Sequence, residues 1–149
     1  MANTMETQAV ENKKIVKKAF EELWKKRDIE PLSAIISDDI RYHAPGLDIV
    51  GKDKYLDYMQ SFIHAFENGK VTIEDQVAIE DKVYSRYYFS GKHTGNFKHI
   101  PATNKMVIFE GMHLNLIING MIIKEWEIYD ELGLMHKLGL ELVQKEHMH

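Results

Sequence analysis

The feature that most constrains this chain is a change of hydrophobic period at Gly69. Upstream, Val16, Ala19, Phe20, Leu23 and Trp24 stand at i, i+3, i+4, i+7 and i+8 within residues 7–27, the stripe of an amphipathic helix. Its opposite face carries Lys13, Lys14, Lys17 and Lys18, while Glu21–Lys25 and Glu22–Lys26 are i,i+4 pairs in the favoured order. The interleaved acids make this a solvated face rather than a docking patch. Residues 30–37 predict a short second helix, followed by an extended segment over 40–44 that Pro45-Gly46 stops. A third helix is expected over 52–66, with Tyr55, Met59, Phe62 and Phe66 on its buried stripe and His64 on the surface.

Downstream of Gly69 the period is two. Val71, Ile73, Val77 and Ile79 alternate with polar residues as in a half-buried strand, and Glu80-Asp81-Lys82 turns the chain. Aromatic-rich residues 83–93 and residues 106–118 predict two further strands. Asn119-Gly120 is the strongest hairpin signal, because both central positions of the tightest turn need positive φ, and it leads to a strand over 121–129. Residues 130–142 predict a short closing helix, with His147-Met148-His149 as a frayed tail. The expected class is therefore α+β: a curved antiparallel sheet, three N-terminal helices across its concave face and a short C-terminal helix. Such a cone encloses a natural small-molecule cavity. The 149 residues suit a single domain, and no repeat or linker divides them.

Composition closes off other classes. With 19 basic and 23 acidic side chains the net charge is −4, so no basic footprint for nucleic acid exists. Cysteine is absent, which removes disulfides, thiolate metal sites and cysteine nucleophiles. The first ten residues lack the basic start and apolar core of a leader, and no run is apolar enough for a membrane span, so a cytoplasmic protein is expected. No phosphate loop, HExxH, GxSxG or EF-hand pattern is present, and the 8 histidines form no i,i+4 helical pair, so no metal is expected.

The most informative stretches are Gly91-Lys92-His93-Thr94-Gly95-Asn96-Phe97-Lys98-His99-Ile100-Pro101-Ala102-Thr103-Asn104-Lys105, then Gly120 to Asp130 with its Glu125-Trp126 core, then Gly133-Leu134 and Lys137-Leu138-Gly139. Together they resemble the SnoaL-like polyketide cyclase, or ester cyclase, branch of the NTF2-like superfamily. Its pattern is G-x-H-x-G-x-F-x-G-I-P-x-T-G-[KR], a Gly-[KR]-Ile-x-E-x-W-x-x-x-D segment and G-L-x-x-Q-L-G. His99 and Asn104 replace two glycines of that pattern, and Lys137 replaces the glutamine.

The resemblance implies an NTF2-like cone and places the acid/base residue of the cyclases on Asp130. By period two, Ile122, Trp126, Ile128 and Asp130 share a face, which would leave the Asp130 carboxylate at the end of a mostly apolar surface with its pKa raised by desolvation. The competing role for the same oxygens is N-cap of the last helix. A base of this kind needs a partner that steadies an enolate; His43, His93, His113 and Arg86 are the candidates, with Arg86 on the face opposite His93. His43 stands first, because the family often carries a polar ring or carboxamide there. Trp126 and Ile128 are expected as cavity walls. Phe97 and Ile100, in a loop over 94–104, either close over a ligand or anchor the loop, and Tyr84 and Tyr88 belong to sheet core or dimer surface.

The expected activity is a cofactor-free cyclase or isomerase in which Asp130 removes a proton α to a carbonyl of a hydrophobic substrate. The alternative is a non-catalytic ligand-binding or dimerisation module. A homodimer through the outer sheet face is expected, since NTF2-like proteins often pair there and Met106, Ile108, Met112, Leu114 and Leu116 alternate along one strand; that face serves equally as core.

Overall fold

A computed structural model describes residues 4–146. In chain order its elements are α1 (Thr4–Lys26), α2 (Glu30–Ser33), β1 (Ile36–Ala44), β2 (Leu47–Val50), α3 (Lys52–Ala65), β3 (Phe66–Ile79), β4 (Lys82–His93), β5 (Met106–Ile118), β6 (Met121–Tyr129) and α4 (Glu131–Lys137). The strands form one sheet in the order β2-β1-β6-β5-β4-β3. From β3 to β6 it is an antiparallel meander, and β1 joins β6 in parallel, which makes the sheet mixed. The chain is thus α+β, with a curved sheet whose inner face is covered by the helices.

The helical stripe of α1 does what its spacing predicts. Val16, Ala19, Phe20, Leu23 and Trp24 are buried, and the helix lies on β3 and β4. Arg27 leaves the helix with φ 53, and its guanidinium donates to the carbonyls of Ile63 and Phe66, both at 2.8 Å. Those carbonyls stand at the C-terminal end of α3, where orphan acceptors need a donor, so one side chain ties the ends of two helices together.

Several boundaries differ from expectation, each for a local reason. The second helix ends at Ser33 rather than Ser37, because the β-branched Ile35 and Ile36 are drawn into the sheet: Ile122 N–H donates to Ile35 C=O at 2.7 Å and Ile36 is fully buried. Strand β2 was not anticipated; Gly46, at φ 68, turns the chain so that Ala44 pairs with Leu47. The third helix stops at Ala65, and β3 begins at Phe66 and runs through Asn68-Gly69 with a register shift between Glu67 and Lys70. The closing helix ends at Lys137, not Leu142, since Gly139 takes φ 93 just beyond it, the usual left-handed helix stop. Asn119 and Gly120 have φ 51 and 77, as the hairpin signal requires. The tail from His147 to His149 lies outside the described residues.

One bulge decides the orientation of the last strand. Leu116 pairs with Lys124 but Ile117 pairs with Ile122, so Ile123 is an extra residue in β6. A one-residue slip moves every later side chain to the other face. Ile122 is buried, and beyond the bulge the buried residues are Glu125 and Tyr129 while Trp126 and Ile128 are exposed.

Gly69 is required by packing. A Cβ there would lie 2.3 Å from the Trp24 ring, which in turn packs edge-on to Phe89 at 4.7 Å. Gly69→Ala is expected to lower stability by about 1–3 kcal/mol, because a buried indole cannot yield without shifting α1. Urea denaturation measures this, and an unchanged midpoint would contradict the packing.

Candidate active site

The inner faces of β5 and β6 bring polar side chains into register. His113 stands directly opposite Glu127, Asn115 opposite Glu125, and Gly111 opposite Tyr129. On the far side of β5, Tyr87 of β4 pairs with Gly111. With no side chain at Gly111 the tyrosine passes over β5, and its hydroxyl donates to Glu127 Oε2 at 2.5 Å. A Cβ on residue 111 would meet that hydroxyl at 2.3 Å. From the other direction Tyr42 of β1 donates to Glu127 Oε1 at 2.5 Å. Both carboxylate oxygens are therefore held by phenols from separate strands.

Glu127 and His113 line an internal cavity of about 50 Å³. Apart from Tyr87 and Tyr129 its other walls are apolar: Phe20, Leu23 and Trp24 come from α1, Met59 and Phe62 from α3, and Phe89 and Phe109 from the sheet. Burial pushes the Glu127 carboxyl above its ordinary 4.5, opposed by the hydrogen bonds from Tyr42 and Tyr87 and by the charge of Lys98. Burial lowers His113 from 6.5 to about 4, so its ring is neutral at physiological pH. Burial and the neighbouring Glu127 charge raise both Tyr42 and Tyr87, which stay protonated as donors. His113 Nδ1 is 2.8 Å from Asn115 Nδ2, its ring packs against Phe20 and Tyr87, and Nε2 is buried with no partner. Glu127 and the unpartnered His113 Nε2 thus belong to cross-strand neighbours that line the same cavity.

The sequence-predicted residues fall in different places. Asp130 is exposed, and its Oδ1 accepts from Gly133 N–H at 2.9 Å as the N-cap of α4. The expected desolvated carboxylate at that position is corrected to a cap, because the bulge at Ile123 turns the parity of Trp126, Ile128 and Asp130 outward. Trp126 and Ile128 are 38% and 73% exposed on the outer face and do not line the internal cavity; Ile128 instead shares an open depression on that face with Arg86 and Asp130. His43 is also corrected: it lies on that outer face, stacked on Trp126 at 5.8 Å, with Nδ1 2.5 Å from Asp48 Oδ1. Its neighbour Tyr42 is the residue of β1 that reaches the cavity. Arg86 pairs with Glu110 at 3.7 Å outside the sheet, on the face opposite the buried His93.

His93 is a loop anchor rather than a cavity residue; its Nδ1 accepts from Thr103 N–H at 3.2 Å and lies 2.9 Å from Thr103 Oγ1. Phe97 is 4% exposed among Phe62 and Phe66, so of its two roles the structure shows anchoring. His99 keeps the left-handed backbone, φ 68, that a glycine would take there, as does Asn104 at φ 59. Lys98, at the turn of this loop, donates to Tyr129 Oη at 3.1 Å and to Glu131 at 3.3 Å. Of the expected site residues only His113 lines the cavity. Among the described residues no three His, Asp or Glu side chains gather to hold a metal ion, and no helix is long and apolar enough to cross a membrane.

Sequence reasoning missed Glu127, Tyr42 and Tyr87. The signal was present on β5: His113 shares its parity with Phe109 and Gly111, whereas the more apolar parity of Met106, Ile108 and Met112 also carries Glu110. A strand whose polar members side with its aromatic core residue is showing its interior face.

The family model of the SnoaL-like polyketide cyclases matches residues 14–138. The chain belongs to this family. A comparison with curated protein sequences gives no match. Among solved structures, an assigned SnoaL-like polyketide cyclase from Jannaschia sp. CCS1 superposes with a TM-score of 0.83 at 17% identity, over 95% of this chain and 99% of that one. IdmH from Streptomyces antibioticus, assigned as a polyketide cyclase, gives 0.73 at 22% over 87% and 99%. AclR from Streptomyces galilaeus, assigned as a hydroxylase, gives 0.78 at 19% over 88% and 97%. At these identities the likeness is one of fold, and this SnoaL-like chain shares its architecture with neighbours assigned to two chemistries.

The depressed His113 value carries a pH prediction. Its folded-state value of about 4 lies below the ordinary 6.5, so unfolded chains take up a proton first as pH falls. The stability this residue contributes is full above 6.5 and is lost between 6.5 and 4, on the order of 3 kcal/mol in all. Denaturant unfolding across that window should show His113→Gln losing less stability than the wild-type chain. Parallel curves would contradict a buried neutral ring.

Proposed function

We propose that this SnoaL-like protein is a cyclase-type enzyme in which Glu127 moves a proton on and off carbon beside His113. The observation that carries the reading is the pair of phenols holding Glu127, which lines a mostly apolar cavity together with its cross-strand neighbour His113, whose Nε2 is unpartnered. Desolvation alone would favour the neutral acid, and the two O–H donors favour the carboxylate. Their opposition sets a base with a pKa closer to neutrality than an exposed glutamate.

The reaction runs as follows. Glu127 takes the proton α to a carbonyl of a hydrophobic substrate, and His113 Nε2–H donates to the enolate oxygen. The enolate carbon then attacks a second carbonyl of the same molecule, forming the C–C bond. The resulting alkoxide recovers the proton from Glu127, so the base is regenerated and no cofactor is consumed. Holding the chain folded supplies the proximity term, and the pre-aimed donor supplies the electrostatic one. The cavity of about 50 Å³ is far below the roughly 300–1,000 Å³ of a ligand pocket, so binding requires lining side chains to swing aside. Phe62, half-buried against Phe97 and Tyr129, is the lining residue placed to do so.

The test compares two carboxylates with, as substrate, a hydrophobic β-keto ester that carries a further ketone along its chain as the intramolecular acceptor. Glu127→Gln is expected to reduce kcat by about 10²–10⁴ with the fold intact. Asp130→Ala should retain turnover and lose about 1 kcal/mol of stability, the cost of a helix cap. The opposite pattern would return the catalytic role to Asp130.

We also propose that two copies pair through the outer sheet face. Met106, Ile108, Met112 and Ile128 are 65%, 58%, 54% and 73% exposed there, a density of large apolar side chains that a lone domain rarely leaves in water. Light scattering at micromolar concentration should report twice the chain mass, and Ile128→Lys should return it to one copy; a wild-type monomer would contradict the proposal.

A further inference from the structure

Beside the reacting pair, the inner face of β5 and β6 holds a second polar pair whose hydrogen bonds do not balance. Glu125 is fully buried; its Oε1 accepts from the Tyr55 hydroxyl at 2.6 Å, and its Oε2 has no partner. Asn115, equally buried, is its cross-strand neighbour. The Asn115 Nδ2 meets His113 Nδ1 at 2.8 Å, and its Oδ1 has no partner. Two opposed side chains therefore each present an orphaned acceptor, in a place where an unmade hydrogen bond costs about 1–3 kcal/mol. Among the described residues Glu125 has no ion pair, and the titratable groups that interact with it are Tyr55 of α3, Tyr42 of β1, Tyr87 of β4 and Glu127 of its own strand.

We propose that Glu125 is a protonated carboxylic acid whose O–H donates to Asn115 Oδ1, and that this bond locks His113 as the Nε2–H tautomer facing the cavity. One proton satisfies both orphaned acceptors. It also fixes the direction of the whole chain: with its oxygen taken by Glu125, the amide of Asn115 must turn its NH₂ toward His113. An NH₂ only donates, so Nδ1 is the acceptor and the remaining ring proton is on Nε2. Were Glu125 ionised, the amide would reverse, offering NH₂ to the carboxylate and oxygen to His113, and Nε2 would face the cavity as a lone pair. Burial, reinforced by the Glu127 charge, holds the Glu125 acid well above the usual carboxylate range, which agrees with the hydrogen-bond count.

Glu125 and Asn115 are positioning residues, since the cavity lining includes neither. The proposal deepens the reading of His113 as the enolate donor, and its tests use ligand-free protein, so they stand apart from the turnover assay. In full-length protein with ¹⁵N-labelled histidine, two-bond imidazole correlation spectra at neutral pH should show the Nε2–H pattern for His113. Glu125→Gln keeps a donor toward Asn115 and should keep that pattern. Asn115→Asp replaces the NH₂ by an acceptor and should invert the pattern to Nδ1–H. Infrared difference spectra should contain a protonated-carboxyl band that Glu125→Gln abolishes and Glu127→Gln does not. A wild-type Nδ1–H pattern, or no band lost with Glu125→Gln, would overturn the proposal. The Nε2–H pattern and the band together with full turnover by Glu127→Gln would uphold this network and reject the catalytic reading alone.

Discussion

Two phenol hydroxyls holding one carboxyl group organise the interior of this protein. Withdrawing the half-buried Glu127 from water costs stability, and the donors that offset the cost come from β1 and β4, strands that do not touch each other in the sheet. Tyr42 reaches it because β1 joins β6 in parallel, a connection outside the meander. Tyr87 reaches it because Gly111 leaves a gap in β5. The topology and one glycine therefore converge on a single carboxyl, and the helices α1 and α3 close the space above it with apolar side chains.

Much of this architecture was legible in advance. The stripe of α1, the antiparallel strands and the Asn119-Gly120 turn all follow from periodicity and turn chemistry, because each depends on neighbours along the chain. What was not legible depends on partners across the sheet. Strand β2 has four residues and no pattern of its own, so only its pairing with β1 defines it. The bulge at Ile123 has no local signature, yet it decides that Glu127 faces inward and Asp130 outward. The family resemblance, tied to the Trp126-to-Asp130 segment, pointed to Asp130, which the structure places outside the cavity as the cap of α4.

The distribution of apolar residues compounds that difficulty. On β5 and β6 the outer face carries Met106, Ile108, Met112 and Ile128, while the inner face carries His113, Asn115, Glu125 and Glu127 among its aromatics. Hydrophobic patterning identifies the inside of a sheet when one face meets water and the other meets core. Here a functional interior is partly polar, and the face expected in water is apolar, so the rule inverts. Both departures would have the same root under the proposed function: a cavity built for chemistry needs buried polar groups, and a sheet face built for pairing needs an apolar surface.

The central claim is that Glu127 is a desolvated, proton-exchanging carboxyl. The most direct measurement is a ¹³C NMR titration of its side-chain carboxyl in the intact protein, assigned with the Glu127→Gln variant. The account predicts a midpoint displaced upward from the ordinary 4.5. A midpoint at or below that value would show the two phenols outweighing burial, and a carboxylate so stabilised would be too weak a base for the chemistry proposed.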